Sequence, residues 1–262
     1  MLSYMVVCLA ALTVSALTLF SGFGLGTILM PVFALFFPLP EAIAATAVVH
    51  LANNIFKLTL VGKKADWQVV LRFALPGAIA AIIGAWLLGI ISGIPPVITY
   101  MFGSKIHEIG IIKLVIGTLI VGFAFLDLLP RIQKISFDKK YLPFGGLLSG
   151  FFGGLSGNQG ALRSAFLIKS GLDKDAFIGT GTVSAVIVDL ARLLVYGISF
   201  YTLKITTIPN DLYGLIAAAT FAAFAGSFIG VRLVKKVTLR VIQITVGIML
   251  IMIGISLASG LI

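Results

Sequence analysis

Three cations and one carboxylate stand inside long apolar runs of this 262-residue chain: Lys57, Arg163, Arg192 and Asp189. His50, Asn54, Ser156, Asn158, Gln159 and Tyr196 share those runs. The spacing groups them. His50, Asn54 and Lys57 are four and three residues apart and so share one helical face. Asp189 and Arg192 are three apart on a second face, which Tyr196 extends by a turn. If Asp189 pairs with one arginine, an excess of two positive charges remains. An unpaired cation in hydrocarbon costs several kcal/mol, and a bound mobile anion offsets that cost. Arginine suits a multi-oxygen anion because its planar fork reaches two oxygens at once. The chemistry these residues could perform is therefore the binding of a small anion. Blander roles stay open at this level. Asp189 and Arg192 could form a structural ion pair that locks two helices. Lys57 could extend its long stem toward an interface, and His50 could be a hydrogen-bonded packing residue.

The elements that must position these groups are membrane helices. Hydrophobic residues make up 60% of the chain and charged residues 11%, against about 45–50% and about 25% in a soluble domain. The apolar runs approach 20 residues and do not alternate, which predicts helices rather than a barrel. The first run, Leu2–Phe20, breaks at Ser21-Gly22-Phe23-Gly24-Leu25-Gly26, and a short piece follows to Phe37. Pro38-Leu39-Pro40 then marks a tight turn. Full spans are expected over Glu41–Val61, Trp67–Ile91 and Gly110–Leu129, with a plain connection from Ser92 to about Ile109. Residues 131–140 form a polar, basic linker. The pattern then restarts with Tyr141–Leu155, a break at Ser156-Gly157-Asn158-Gln159-Gly160, and a short piece to Ile168. Spans over Asp175–Gly197, Asp211–Val231 and Arg240–Leu261 complete it.

The two halves align at an offset of 135, which places Asn54 on Asp189, Lys57 on Arg192 and Ser21 on Ser156; beyond the next loop the offset is 142, with Gly84 on Gly226. The predicted fold is an all-α polytopic membrane protein of two inverted repeats, residues 1–130 and 141–262. Each repeat has a glycine-broken short-helix pair and three transmembrane helices. With the linker on the cytoplasmic side, thirteen of the nineteen Lys and Arg residues fall on that side. Lys105, Lys113 and Lys204 fall on the other, leaving only Lys57, Arg163 and Arg192 in the membrane. So uneven a split agrees with the positive-inside rule and puts both termini outside. Helices that start at the breaks aim free N–H groups and a positive dipole end into the membrane. Discontinuous helices at matching places in two inverted halves point to a binding site near the midplane. The expected site lies between the broken pairs. Arg163, Arg192 and Lys57 are its counter-charges, and Ser156, Asn158, Gln159, Ser21 and Asn54 its polar lining. Asp189 and His50 are the ion-pair and coupling groups.

Other classes fit poorly. The net charge of +10 sits in short loops between apolar runs, so nucleic-acid binding is not expected. One cysteine, Cys8, excludes an intrachain disulfide and a cysteine-cluster metal site. The first run lacks a basic leader and a clear cleavage site, and reads as a retained membrane segment. Gly154-Leu155-Ser156-Gly157 matches the short serine string of rhomboid proteases. That chemistry needs a histidine downstream, and His50 and His107 both lie upstream. No phosphate-binding loop or metalloprotease motif is present. No enzymatic role and no cofactor is expected; the partners are a small anion, the bilayer, and coupling protons or ions.

The full-length pattern resembles the TauE/SafE family of membrane permeases, the sulfite exporter-like proteins. The stretches that carry it are SGFGLGTILMPVFALFFPLPEAIAATAVV (Ser21–Val49) and GFFGGLSGNQGALRSAFLIKSGLDKDAFIGTGT (Gly150–Thr182). Each holds a glycine-rich break, a short apolar piece, a turn, and a helix with an early Ala/Gly-Thr step. The resemblance implies an ion-coupled transporter of small sulfur-containing anions such as sulfite or sulfonates. This chain departs from the family pattern at the second break. The usual run of glycines followed by a proline is replaced by Gly157-Asn158-Gln159-Gly160, with Arg163 and Phe166 after it.

Overall fold

A computed structural model describes residues 1–18, 25–61, 64–129, 136–202, 210–233 and 239–262. The first break, with Ser21, lies outside the described residues. So do Lys63, Arg131 and Lys134. Helices dominate, as the apolar runs require: α1 (Leu2–Thr18), α2 (Leu25–Ala34), α3 (Leu39–Val61), α4 (Trp67–Ser92) and α5 (Ile111–Leu128) form the first half. The second half holds α6 (Leu142–Ser156), α7 (Gly160–Leu167), α8 (Lys174–Thr202), α9 (Asn210–Leu233) and α10 (Leu239–Ala258). Among the described residues four helices are long and apolar enough to cross a bilayer, α3, α4, α8 and α9, and shorter apolar stretches lie in α1, α2, α5 and α10. The chain is an all-α polytopic membrane protein.

One element was not anticipated. The connection after α4 holds a β-hairpin, β1 (Ile98–Phe102) paired antiparallel with β2 (Lys105–Ile109). Its β-branched and aromatic residues flank Gly103-Ser104, and Gly103 takes φ +63, the signature of a tight two-residue hairpin loop. Tyr100 donates from its hydroxyl to the Ser259 carbonyl at 2.7 Å, and His107 Nδ1 lies 3.1 Å from the Gly260 carbonyl oxygen. The hairpin thereby holds the end of α10.

Local chemistry sets the helix ends. Asp66 caps α4, its Oδ1 accepting from the N–H groups of Gln68 and Val69 at 2.9 and 3.1 Å, which satisfies two otherwise orphaned donors. The Asp66 N–H itself donates to Thr180 Oγ1 at 2.9 Å. Lys64 forms an exposed ion pair with Asp175. Both contacts tie the α3–α4 loop to the start of α8. α6 ends on Gly157 at φ +81, whose N–H returns to the Gly153 carbonyl at 3.0 Å. This left-handed cap suits glycine, which has no Cβ to clash.

The second broken pair enters the protein and returns to the side it came from. Phe137, before α6, donates from its N–H to the Ala165 carbonyl near the end of α7, and its ring stacks on Phe166 at 4.2 Å. Phe166 also packs where a Cβ on Gly145 would stand. The start of α6 and the end of α7 are therefore at one level, and the break is at the far end of the excursion.

Helix packing crosses the halves. α4 lies along α6, and α9 along α1. In both pairs glycines let backbones touch. A Cβ on Gly146, Gly150 or Gly154 of α6 would collide with the carbonyls of Phe73, Gly77 and Ala81 of α4. Gly226 and Gly230 of α9 meet Leu12 and Ala16 of α1 in the same way. A four-residue period on both partners is the small-residue seam of close membrane packing. α3 packs on α8, and α5 on α10. With no hydrophobic drive between helices in lipid, this close fit is a main source of their association.

Gly150→Ala is expected to lower the thermal stability of detergent-solubilised protein by about 1–3 kcal/mol, because backbone atoms cannot yield. Gly122→Ala, whose Cβ meets nothing within 4 Å, is expected to gain about 0.5–1 kcal/mol. Paired melting curves check both.

Candidate functional site

The site begins with the break in a buried helix. Ending α6 inside the protein leaves its last carbonyls without helical partners, and an apolar medium offers no water to satisfy them. Two α8 side chains supply donors. The Tyr196 hydroxyl donates to the Gly154 carbonyl, and Arg192 Nη1 adds a second bond at 3.0 Å to the Gly153 carbonyl, which already accepts from the Gly157 N–H. A cation at a helix C-terminus also complements the dipole there. Arg192 is wholly buried and is the largest such side chain among the described residues. Its charge then needs a counter-ion.

Asp189 provides it, one turn earlier on α8. Arg192 Nε donates to Asp189 Oδ1 at 3.0 Å, and Nη2 stands 2.7 Å from the same oxygen as an ionic contact, without hydrogen-bond alignment. Gln159 Nε2 donates to Oδ1 at 2.9 Å. On the other oxygen, Asn54 Nδ2 donates to Oδ2 at 3.2 Å and His50 Nδ1 lies 2.6 Å away. A carboxylate only accepts, so the proton in the His50 contact sits on Nδ1. Asp189 thus joins α3, α8 and the break itself. The expected structural ion pair is present, and His50 and Asn54 belong to it across the helix interface.

The remaining residues are placed as follows. Ser156 donates to the Phe152 carbonyl at 3.0 Å and accepts from Asn158 Nδ2 at 3.2 Å, so its hydroxyl proton is already in use. Asn158 Oδ1 is buried without a partner among the described residues. Arg163 sits in the first turn of α7, its Nε over Gly181 of α8, 3.6 Å from where a Cβ would be. Its Nη1 is buried and unpaired among the described residues. Lys57 is 7% exposed, and no described hydrogen bond or ion pair reaches it. α7 begins at Gly160 with no side-chain cap on its N–H groups. The start of α2 meets the second break here: a Cβ on Gly26, in the first turn of α2, would stand 3.1 Å from the Gly157 carbonyl and 3.9 Å from Thr46 and His50. Thr46 Oγ1 and Ser184 Oγ have no partner among the described residues.

The expected residues thus gather around the α3–α8 crossing, apart from Ser21, which lies outside the described residues. They divide into a mutually bonded group (Asp189, Arg192, Gln159, Asn54, His50, Ser156), in which only Arg192 Nη2 lacks an aligned partner, and a less bonded one (Lys57, Arg163, Asn158). Sequence reasoning passed over a second buried network. Asn53 Nδ2 donates to Ser15 Oγ at 3.0 Å, Ser227 Oγ donates to Asn53 Oδ1 at 2.9 Å, and the two serines are 2.7 Å apart. It joins α1, α3 and α9. Asn53 beside Asn54 in an apolar helix was the available signal, but lone serines in membrane helices carry none.

Asp189→Asn is expected to cost about 3–5 kcal/mol, seen as a lower melting temperature, because Arg192 is left buried without its counter-charge. Asp189→Asn combined with Arg192→Gln is expected to recover most of that loss, which a double-mutant cycle of melting temperatures measures.

A family model described as "Sulfite exporter TauE/SafE" matches residues 7–257. No curated protein and no solved structure matches the chain. The match covers both broken pairs, the helices that carry the buried charges, and nearly all of the remaining chain. This chain, a multi-pass helical membrane protein with a charged centre at its two breaks, therefore belongs to the TauE/SafE sulfite exporter family, a family of membrane transporters.

Proposed function

We propose that the chain is a secondary transporter that carries a small sulfur-containing oxyanion or organosulfonate across the cell membrane by alternating access. The observation that carries this reading is that two cations, buried Lys57 and half-buried Arg163 in the uncapped first turn of α7, have no hydrogen-bonded counter-ion among the described residues. Only a bound anion offsets that cost without adding a protein group. Asp189 and His50 are the groups through which proton coupling acts, since they share a hydrogen bond at the centre.

Alternating access rests on the halves being inverted repeats, residues 1–130 and 141–262. Three observations support this. α2 and α7 begin 135 residues apart, as do α3 and α8. The packing pairs exchange with the halves, α4 on α6 corresponding to α9 on α1. Asn54 and Asp189, also 135 apart, touch each other, as equivalent residues on a two-fold axis do. α3 and α8 run antiparallel, since Asn54 meets Asp189 while Lys64 meets Asp175, which is what inversion requires. The contacts also join ends that the charge count puts on one side. Tyr4 donates to Asp211 Oδ1 at 3.0 Å on the outer side, where both termini belong, and Lys64 pairs with Asp175 on the cytoplasmic side.

In proteoliposomes, labelled sulfite, sulfoacetate or thiosulfate is expected to move with saturable kinetics. Arg163→Ala is expected to reduce that flux at least about tenfold, the cost of one charge-assisted contact, with the melting temperature preserved. A folded wild-type protein that moves none of these anions defeats the proposal in favour of a scaffold. Flux that never saturates favours a channel.

A further inference from the structure

The β-hairpin after α4 takes no part in the charged centre, yet it carries exposed apolar surface. Three side chains at its tip, Met101, Phe102 and Ile106, are 72%, 69% and 69% exposed. They flank Lys105 and the Gly103-Ser104 turn, where a Cβ on Gly103 would meet nothing within 4 Å. A contiguous exposed apolar cluster marks an interaction surface. The position of the hairpin in the fold says what covers it.

Its level in the bilayer follows from α4. Trp67 and Trp86, both exposed on that helix, are 19 residues apart, about 28 Å by the helical rise. The hydrocarbon core is about 30 Å thick, and tryptophan favours its two boundaries. Between them Leu71, Leu75, Ile79 and Ile83 form an exposed stripe, opposite the face that packs on α6. This stripe is the lipid-facing side of α4. Ser92, the last residue of α4, stands about 9 Å beyond Trp86, in the headgroup layer. Exposed Ile94, Val97 and Ile98 carry the apolar surface on from there into the hairpin.

The hairpin stays at that level. Its base leads through Gly110 into α5. Its middle lies on the end of α10, where Tyr100 donates to the Ser259 carbonyl and His107 Nδ1 lies 3.1 Å from the Gly260 carbonyl oxygen. α5 and α10 pack side by side, and packed helix axes are about 8–10 Å apart. The two residues of strand from Ile109 to His107 cover about 7 Å of that step. The hairpin therefore lies across the helix ends instead of standing out from them, and its tip overhangs α10. On its sides away from α5, α10 exposes Met249, Met252 and Ile255, so lipid lies beneath the overhang.

We infer that the hairpin is a membrane-interface anchor. Its tip, Met101, Phe102 and Ile106, enters the boundary between headgroups and acyl chains beside α10, and Lys105 extends its stem to reach a lipid phosphate. Entry removes apolar surface from water, while the long lysine stem keeps its charge at the polar layer. The end of α10, bonded to Tyr100, is thereby held at the bilayer surface.

The test places an environment-sensitive fluorophore on Met101→Cys and, separately, on Ile106→Cys. Both are made in a Cys8→Ser background, since Cys8 is the one native cysteine, and reconstituted in phospholipid vesicles. Lys139→Cys, exposed in the polar linker, is the aqueous control, and Ile79→Cys, exposed at mid-α4, the deep control. The tip labels are expected to emit to the blue of the Lys139→Cys label. They are also expected to be quenched more by nitroxide lipids labelled near the headgroup than by those labelled at the chain end, with the order reversed at Ile79→Cys. Tip labels quenched by aqueous iodide as strongly as the Lys139→Cys label, and untouched by nitroxide lipids, overturn the inference. A blue shift that fades as the protein-to-lipid ratio falls also overturns it, because a second copy then covers the tip. Wild-type protein gives an independent reading. A phospholipid with a photoreactive group near its headgroup is expected to label the peptide containing Met101–Ile106. Labelling of α4 without that peptide defeats the inference even if the cysteine variants fail to fold.

Discussion

The structure depends on one accounting problem: a helix that stops inside an apolar medium must have its carbonyls satisfied by something other than water. α6 stops at Ser156, and Arg192 and Tyr196 reach across from α8 to accept the task. Burying Arg192 makes Asp189 necessary, and burying Asp189 makes its remaining lone pairs necessary to fill. His50, Asn54 and Gln159 do so from α3 and from the break. A single backbone interruption thus accounts for six buried polar side chains. It also explains why they cluster at one level of the fold.

The glycine seams serve the same end. A broken helix has only half the length of a span with which to hold its neighbours, so its contacts must be closer. α6 meets α4 through three glycines at four-residue spacing, backbone against backbone, and the α1–α9 pair repeats the device with Gly226 and Gly230. The bond from Ser149 Oγ to the Gln159 carbonyl, 3.0 Å, then ties the unwound segment back to α6. The result is a fixed break with an uncapped α7 start in front of it, set beside two unmatched cations. Pre-organisation of this kind favours binding because the donors need no rearrangement when charge arrives.

The proposed alternating access draws on how the halves pair. The most intimate contacts, α4 with α6 and α1 with α9, join helices from different halves, while the polar crossing of α3 and α8 sits between them. The exposed Lys64–Asp175 pair lies at the loop end of that crossing. Exposed ion pairs are weak, about 0–1 kcal/mol, so this one can open without a large cost. The buried Asp189 cluster cannot.

Much was legible in the chain itself. The apolar runs determined a polytopic helical protein, since nothing else satisfies their backbone in lipid. The glycine and serine runs marked the second break, and Arg163, Arg192, Asp189 and Lys57 stood out because charge in such runs is costly. The helical periods placed His50, Asn54 and Lys57 on one face, and that face does meet Asp189. The hairpin at Ile98–Ile109 was legible too, in its Gly-Ser turn, but a short stretch between spans was read as a plain connection. What no periodicity carries is which donor meets which acceptor. Arg163 and Arg192 are alike as residues, and only the tertiary structure separates them. Arg192 faces a carboxylate and a helix end, whereas Arg163 stands over a glycine with its Nη1 unpaired among the described residues. The physical reason is that burial gives a charged group its cost, which composition reveals, while partnership decides whether that cost is already met, and partnership is made by helices that only the fold brings together.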